Sequence, residues 1–406
     1  MRIVLLFPVF SNYHLARLRT AQSMNRDVIG LEVVDGTGVT GIQGWREVER
    51  RGELTIETMI RGMNYTDVEP GYLCTQMYAW LDKINPDVVA LPGWIDKSAM
   101  AALRWCADRR KGAVLMSDSS AKDKQRRFLI EQLKSRIVRC YGAALVAGTV
   151  HVRYVAELGM PMDRIFTGYD VVDNDYFSTA VDAIRANPGS AGALTKCSEP
   201  FFLASARFIE RKNLIRLIEA YHMYRQKSAA PRWKLVILGD GPQRLQIEQA
   251  IRERHLTQFV HLPGFVSYNE LPAFYALAGA FVHPSISEQW GLVINEAMAS
   301  GLPVVVSDRC GAAPDLVQNG VNGWTFNPYD VADIAEKLEK VQLAVRAGEP
   351  LGEASRRIVS EWSPARFAEG LFRAAETAVE TPTAQPWFVK SILWPVSGLS
   401  QRWLTH

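Results

Sequence analysis

The sequence predicts an α/β protein built as two doubly wound, Rossmann-like domains in series, facing each other across a cleft. Three observations predict it. Short, fully apolar runs alternate with segments long enough for helices, as expected of parallel strands covered on both faces. That rhythm breaks once, at a Pro/Gly-bearing stretch, and restarts. The chain has 406 residues, room for two or three domains, and is 48% hydrophobic and 22% charged, the balance of an ordinary globular protein.

In the first half, residues 3–7, 27–34, 87–91, 113–117 and 143–147 read as strands, and 71–84 and 122–138 as helices. The opening run Met1 to Phe7 has no small-residue cleavage site before Pro8, so it reads as a buried first strand and not as a leader. Residues 179–200, with Asn187, Pro188, Gly189 and Gly192, read as a linker or loop. Strands are expected again at 201–206, 234–238, 259–262, 280–283 and 303–306. The helix after the first of these places Leu214, Leu217, Ile218 and Tyr221 on one face. From Pro364 the rhythm stops. Phe367, Leu371, Phe372 and Ala375 mark one amphipathic helix, and the rest, with Pro382, Pro386, Trp387, Trp394 and Trp403, is too proline-punctuated for a sheet. The expected division is therefore an N-terminal domain at 1–178, a C-terminal domain at 179–363, and a segment 364–406 whose helix packs back toward the N-terminal domain.

Composition excludes several classes. A net charge of +3 is too small to argue for a nucleic-acid partner. The five cysteines, Cys74, Cys106, Cys140, Cys197 and Cys310, are scattered and form no C-x-x-C pair, so they read as core thiols in a reducing compartment, the cytoplasm. No apolar run approaches the ~20 residues of a membrane span.

The chemistry gathers in the second half. Glu288 and Glu296 lie eight residues apart around Gly291. Alone, such a pair reads as a solvated face. Arg207, directly after the strand 201–206, and Lys212, just before a helix, change that reading. Two cations at a strand's carboxyl edge suit a diphosphate, arginine by its fork and lysine as a point charge. Gly291 lets backbone approach a ligand, and the helix from about Leu292 offers its first N–H groups to an anion. A nucleoside-diphosphate sugar breaks with positive charge growing at the anomeric carbon and negative charge on the diphosphate, and cations, amides and carboxylates serve those needs.

These residues also carry a resemblance. Ser205 to Asn213 (SARFIERKN), Gly239-Asp240-Gly241-Pro242, Gly264-Phe265-Val266, the E-x7-E segment and Gly320 to Trp324 resemble, in order and spacing over roughly 200–340, the donor domain of family 4 glycosyltransferases with the GT-B fold. The resemblance implies a retaining transfer without a metal ion or other cofactor. It implies that Glu288 contacts the donor sugar, Glu296 the ribose, Arg207 and Lys212 the diphosphate with the amides of Gly291 and Leu292, and that Phe265 and Val266 border the base. The N-terminal half departs from the family pattern. The loop after the first strand reads Pro8 to His14 where many members carry a Gly-Gly pair, and Asp118 stands where many carry a histidine. Asp118, Asn12 and His14 are the candidates for the sugar or acceptor side, although His14 could equally pack against the first helix, and Asp118 could equally cap one.

Two further motifs are set aside. Residues 36–41 match G-x-G-x-x-G but follow the second strand, with Gly44 and Gly52 interrupting any helix. Asp173-Asn174-Asp175 resembles a D-x-D metal motif but reads as turn chemistry. Finally, eleven Lys and Arg against four Asp and Glu lie between Arg104 and Arg139, either a solvated face or contact with an anionic membrane surface bearing the acceptor. The expected activity is transfer from a nucleotide sugar to a glycan or lipid-linked acceptor in surface polysaccharide or glycolipid assembly, at the cytoplasmic face of a membrane. The alternatives are a nucleotide-sugar epimerase or phosphorylase on the same fold, or a non-catalytic donor-binding subunit.

Overall fold

The computed structural model of the chain describes residues 1–24, 27–36, 54–123, 127–189, 191–195, 197, 199–227 and 231–381. They form two compact units, one of Met1–Val171 with the described chain from Ser363 onward, the other of Val172–Trp362. The G-x-G-x-x-G match beyond Gly36 and the aromatic tail beyond Thr381 lie outside the described residues.

The first unit holds a parallel sheet of β1 (Arg2–Phe7), β2 (Asp27–Val34), β3 (Ile56–Ile60), β4 (Val88–Pro92), β5 (Gly112–Ser117), β6 (Ala143–Val146) and β7 (Ile165–Thr167), in the order β3-β2-β1-β4-β5-β6-β7. Its helices are α1 (Asn12–Ser23), α2 (Pro70–Ile84), α3 (Lys97–Arg109), α4 (Phe128–Val138) and α5 (Thr149–Glu157). The five expected strands are all present, β1 with Ile3, Val4, Leu5 and Leu6 sealed from solvent. Two more, β3 and β7, escaped the reading because they are the sheet's edges. β3 interrupts its apolar run with Glu57 and Thr58, and β7 has three residues. The helix expected from residue 122 begins instead at Phe128. The Asp123 carboxylate accepts from the Ser120 amide at 2.7 Å and hydroxyl at 2.6 Å, closing a turn where a helix was expected.

The second unit repeats the plan. Its strands are β8 (Phe201–Ser205), β9 (Lys234–Leu238), β10 (Val260–Gly264), β11 (Ala280–His283), β12 (Val304–Ser307) and β13 (Gly323–Phe326), all parallel in the order β10-β9-β8-β11-β12-β13. Around them run α6 (Asn174–Ala186), α7 (Ala191–Thr195), α8 (Leu214–Lys227), α9 (Arg244–Glu253), α10 (Leu271–Leu277), α11 (Leu292–Ala299), α12 (Ala313–Leu316), α13 (Val331–Arg346) and α14 (Leu351–Ser360). The expected apolar face of α8, Leu214, Leu217, Ile218 and Tyr221, is fully buried.

The last helix, α15 (Pro364–Glu380), returns to the first unit and packs on α1, β5, β6 and β7. Phe367, Leu371, Phe372 and Ala375 face inward as their spacing requires. Backbone meets backbone there. A Cβ on Gly142 would stand 2.5 Å from the Thr381 carbonyl, and one on Gly370 2.7 Å from that of Thr167. Only glycine permits so close an approach.

Both sheets share one consequence. Chain order reverses between β1 and β4, and again between β8 and β11, so the loops leaving those strands diverge and open a crevice at the carboxyl edge.

Candidate functional site

In the second unit the loops after β8 and β11 bring together two of the charged residues that the sequence singled out, Lys212 and Glu288. Two glycines shape the first wall of the crevice there. Gly239 and Gly241 have φ of +116° and +155°, and their missing Cβ atoms would stand 2.0 Å from the Ala206 carbonyl oxygen and 2.7 Å from that of Phe208. The Gly-Asp-Gly-Pro loop can therefore lie flat against the segment after β8, where the Phe208 amide donates to the Asp240 carbonyl at 2.8 Å. A 3₁₀ turn over Glu210–Lys212 follows and ends at Asn213, with φ +59°. The Asn213 side-chain amide donates to the Pro284 and Pro328 carbonyls at 3.0 and 2.8 Å, and the Ile286 amide donates to the Arg211 carbonyl at 2.9 Å. These bonds tie the loop after β8 to the loop after β11.

That tie brings Lys212 against Glu288. The two form an ion pair, each side chain 11% exposed. The pairing was not legible, since both residues read as ligand contacts and not as partners of each other. Arg207 is exposed and makes no ion pair among the described residues. Glu288 Oε2 also lies 3.0 Å from His283 Nε2 and 3.2 Å from Ser285 Oγ, which donates to it. Burial pushes the Glu288 carboxyl up, but the His283 hydrogen bond and the Lys212 charge outweigh it and hold the group well below the usual carboxylate range. His283 is 1% exposed, and burial moves its imidazole down, so it is neutral near pH 7.

The second wall is the loop carrying Glu288. The Gly311 amide donates to the Glu288 carbonyl at 3.0 Å and the Ala312 amide to that of Trp290 at 3.3 Å, which moors it to the chain after β12. The buried Trp290 indole donates to Asn295 Oδ1 at 2.9 Å and packs 4.9 Å from the Trp362 ring. Gly291 then turns the chain with φ +101°, and no side chain caps α11. A Cβ at Gly291 would stand 3.4 Å from Glu288 Cγ, so the turn sits directly on the carboxylate. Leu292 is the first residue of α11. Glu296, one turn further, is 1% exposed and accepts from the Tyr275 hydroxyl at 2.7 Å. Phe265, half exposed, and Val266 follow β10 at Gly264, whose carbonyl accepts from the Gly239 amide at 2.8 Å.

Three candidates stand in the first unit. His14 closes a capping box on α1, accepting at Nδ1 from the Ser11 amide at 3.2 Å, and stacks on Phe7 with ring centroids 3.7 Å apart. Burial, then the Arg17 charge, push it down to about 3. Its ring is committed to packing. Asn12 opens α1 and is partly exposed. Asp118 follows β5. Burial, then the charge of Asp170, push its carboxyl up to about 8. Asp170 itself pairs with Arg17 at 3.3 Å, both side chains less than a tenth exposed.

Asp173 caps α6, accepting from the Tyr176 amide at 3.0 Å, as turn chemistry requires. Four of the five cysteines are buried, and Cys74 is partly so. Sequence reasoning missed His283, Ser285 and Tyr275. A signal existed for the first two: a histidine ends an otherwise apolar strand, and Pro284 and Ser285 follow at the carboxyl edge.

Comparison with known proteins adds three findings. Residues 193–356 match the family model described as "Glycosyl transferases group 1". Sulfoquinovosyl transferase SQD2 of Arabidopsis thaliana is 34% identical over 185 residues, 42% of this chain and 33% of that protein. Alpha-monoglucosyldiacylglycerol synthase of Acholeplasma laidlawii is 31% identical over 208 residues, 50% of this chain and 48% of that one. The chain thus spans about a third to a half of the length of these curated relatives. Anabaena Alr3699/HepE, solved in complex with UDP, superposes with a TM-score of 0.64 at 16% identity, over 98% of this chain and 100% of that one, a likeness of fold.

Proposed function

We propose, from the premise that through residues 193–356 this chain belongs to the group 1 glycosyl transferases, family 4 with the GT-B fold, that it moves a sugar from a nucleoside-diphosphate sugar to a glycan or lipid-linked acceptor. Transfer proceeds with retention at the anomeric carbon and without a metal ion, as membership implies. The observation that carries the reading is the Lys212–Glu288 pair at the β8/β11 crevice, where an α/β sheet binds ligands. Glu288 faces the donor sugar, and Lys212 and Arg207 face the diphosphate with the amides of Gly291 and Leu292. Glu296 holds the ribose, and Phe265 and Val266 border the base. The cations and amides offset charge that grows on the leaving diphosphate, which places their effect in the transition state. Asp118 and Asn12 belong to the sugar or acceptor side, in surface polysaccharide or glycolipid biosynthesis, and His14, whose ring caps α1 and stacks on Phe7, does not.

Thermal melting against UDP, GDP, ADP and their glucose conjugates tests it. A nucleotide at 100 times its Kd stabilises the protein by ~2.7 kcal/mol. Glu288→Ala keeps that shift and loses transfer, so no shift with any nucleotide, or full transfer by Glu288→Ala, sinks the assignment.

A lipid-linked acceptor calls for a membrane surface, and α4 supplies one. Phe128 and Leu129 are 76% and 80% exposed, and at 100° per residue Gln132, Arg136 and Arg139 share their face, all exposed. Arg127 precedes them, also exposed. Two large apolar side chains beside arginines, with no acid on that face, suit an anionic bilayer. Among the described residues no helix is long and apolar enough to cross a membrane. The chain is expected to float with vesicles containing phosphatidylglycerol at low salt, and Phe128→Ser/Leu129→Ser to stay behind. Equal flotation of the variant removes α4 from the contact.

A further inference from the structure

Among the described residues, every hydrogen bond to the Glu288 carboxylate falls on one oxygen. Lys212, His283 and Ser285 converge on Oε2, and no hydrogen bond within the described residues reaches Oε1. The geometry fixes the protons. A carboxylate can only accept, so Ser285 and His283 both donate to it. His283 must then carry its proton on Nε2, which also lies 3.1 Å from Ser285 Oγ. The other ring nitrogen, Nδ1, is buried and has no hydrogen-bond partner among the described residues. A bare Nδ1 leaves one weak acceptor unmet. The opposite tautomer would bury an unpaired N–H and turn the Nε2 lone pair onto the carboxylate, and a cationic ring would add a buried charge beside Lys212. Both are costlier. Gly291 completes the enclosure, since its Cβ would stand 3.7 Å from His283 Nε2.

We propose that His283, as the Nε2–H tautomer, is a positioning residue: with Ser285 and Lys212 it pins Oε2 of Glu288 and thereby presents Oε1 as a fixed acceptor for a hydroxyl of the donor sugar. This rests on the reading of Glu288 as the sugar contact. Burial of the imidazole agrees with it, since desolvation disfavours the charged ring. His283 touches no donor atom and acts through Glu288 alone.

Two measurements test it. In the ligand-free protein, ¹⁵N NMR of the ring nitrogens, with His283 assigned by the signal missing from His283→Gln, reads the tautomer directly. The Nε2–H neutral form is expected at pH 7 and pH 8, whereas an Nδ1–H ring overturns the proposal. The second measurement titrates UDP, GDP and ADP, and each one's glucose conjugate, into the wild type, His283→Phe and His283→Gln. For the pair that binds, His283→Phe is expected to hold the bare diphosphate within about twofold of wild type. It is expected to lose about tenfold for the sugar nucleotide, the worth of one good hydrogen bond. His283→Gln, whose amide can reach the place of Nε2–H, recovers most of that loss, a rescue that mere packing would not give. Equal affinities in His283→Phe and wild type overturn the proposal, as does equal weakening for both ligands in a variant with unchanged melting temperature. If His283→Phe does not fold, Ser285→Ala replaces it with the same expected split. A wild type that binds none of the six ligands overturns the donor-site reading and the sugar half of the proposal with it, while the tautomer is still read on the free protein.

Discussion

The two units run the same strand order and use the reversal in opposite ways. At the β8/β11 reversal the flanking loops are stitched together by Asn213 and Ile286, and the charged group they carry keeps one carboxylate oxygen open. At the β1/β4 reversal the loops spend their polar groups on themselves. His14 caps α1 and stacks on Phe7, and Asp96 accepts from the Ser98 amide and Tyr65 hydroxyl as the cap of α3. A buried ion pair of that unit, Arg17–Asp170, is closed in by Tyr169 and Phe367, whose rings lie 5.0 and 5.7 Å from the guanidinium. A shared fold thus supplies the crevice, and side chains decide how much of it is left open to a ligand.

The largest expected effect breaks that contrast if it is wrong. Arg17→Met strands a buried Asp170 and should cost about 3–5 kcal/mol in urea unfolding, leaving nucleotide-induced stabilisation intact. Lys212→Met should cost less, about 2 kcal/mol, because Glu288 keeps His283 and Ser285. It should also lose the nucleotide-induced shift. The reverse pattern, with the shift lost in Arg17→Met and kept in Lys212→Met, would exchange the roles of the two pairs.

A smaller effect separates two ionisable groups within the first unit. Asp118 is raised in the folded state from 3.8 to about 8. Its contribution is therefore fully present below pH 4 and is lost as pH rises toward 8. His14 is lowered from 6.5 to about 3, so its contribution is present above pH 6.5 and is lost as pH falls toward 3. Urea unfolding at pH 5 and pH 8 should find Asp118→Asn gaining on the wild type at the higher pH. A constant difference would show that Asp118 titrates normally.

Much of the fold was legible because parallel strands buried on both faces are written as bare apolar runs, as 3–7 and 113–117 are. Edge strands are not so written, and β3, with Glu57 and Thr58 toward its start, shows why. Of the residues proposed for the donor side, Arg207 and Lys212 were legible as charges after a strand and Gly291 as a turn before a helix. Their mutual arrangement was not. Lys212 and Glu288 are 76 residues apart in sequence, and the Asn213 bond to Pro284 and the Ile286 bond to Arg211 bring their loops together. His283 stayed hidden because a histidine ending an apolar strand looks like core until its carboxylate partner is placed.

The β8/β11 crevice of the second unit is proposed to hold the nucleotide of a sugar donor. Calorimetric titration of UDP, GDP and ADP into the wild type and Glu296→Ala tests it most directly. At least one nucleotide should bind the wild type, and Glu296→Ala should weaken it by about tenfold or more, the ~1.4 kcal/mol of a lost ribose contact. Identical affinities in the two proteins would contradict the account.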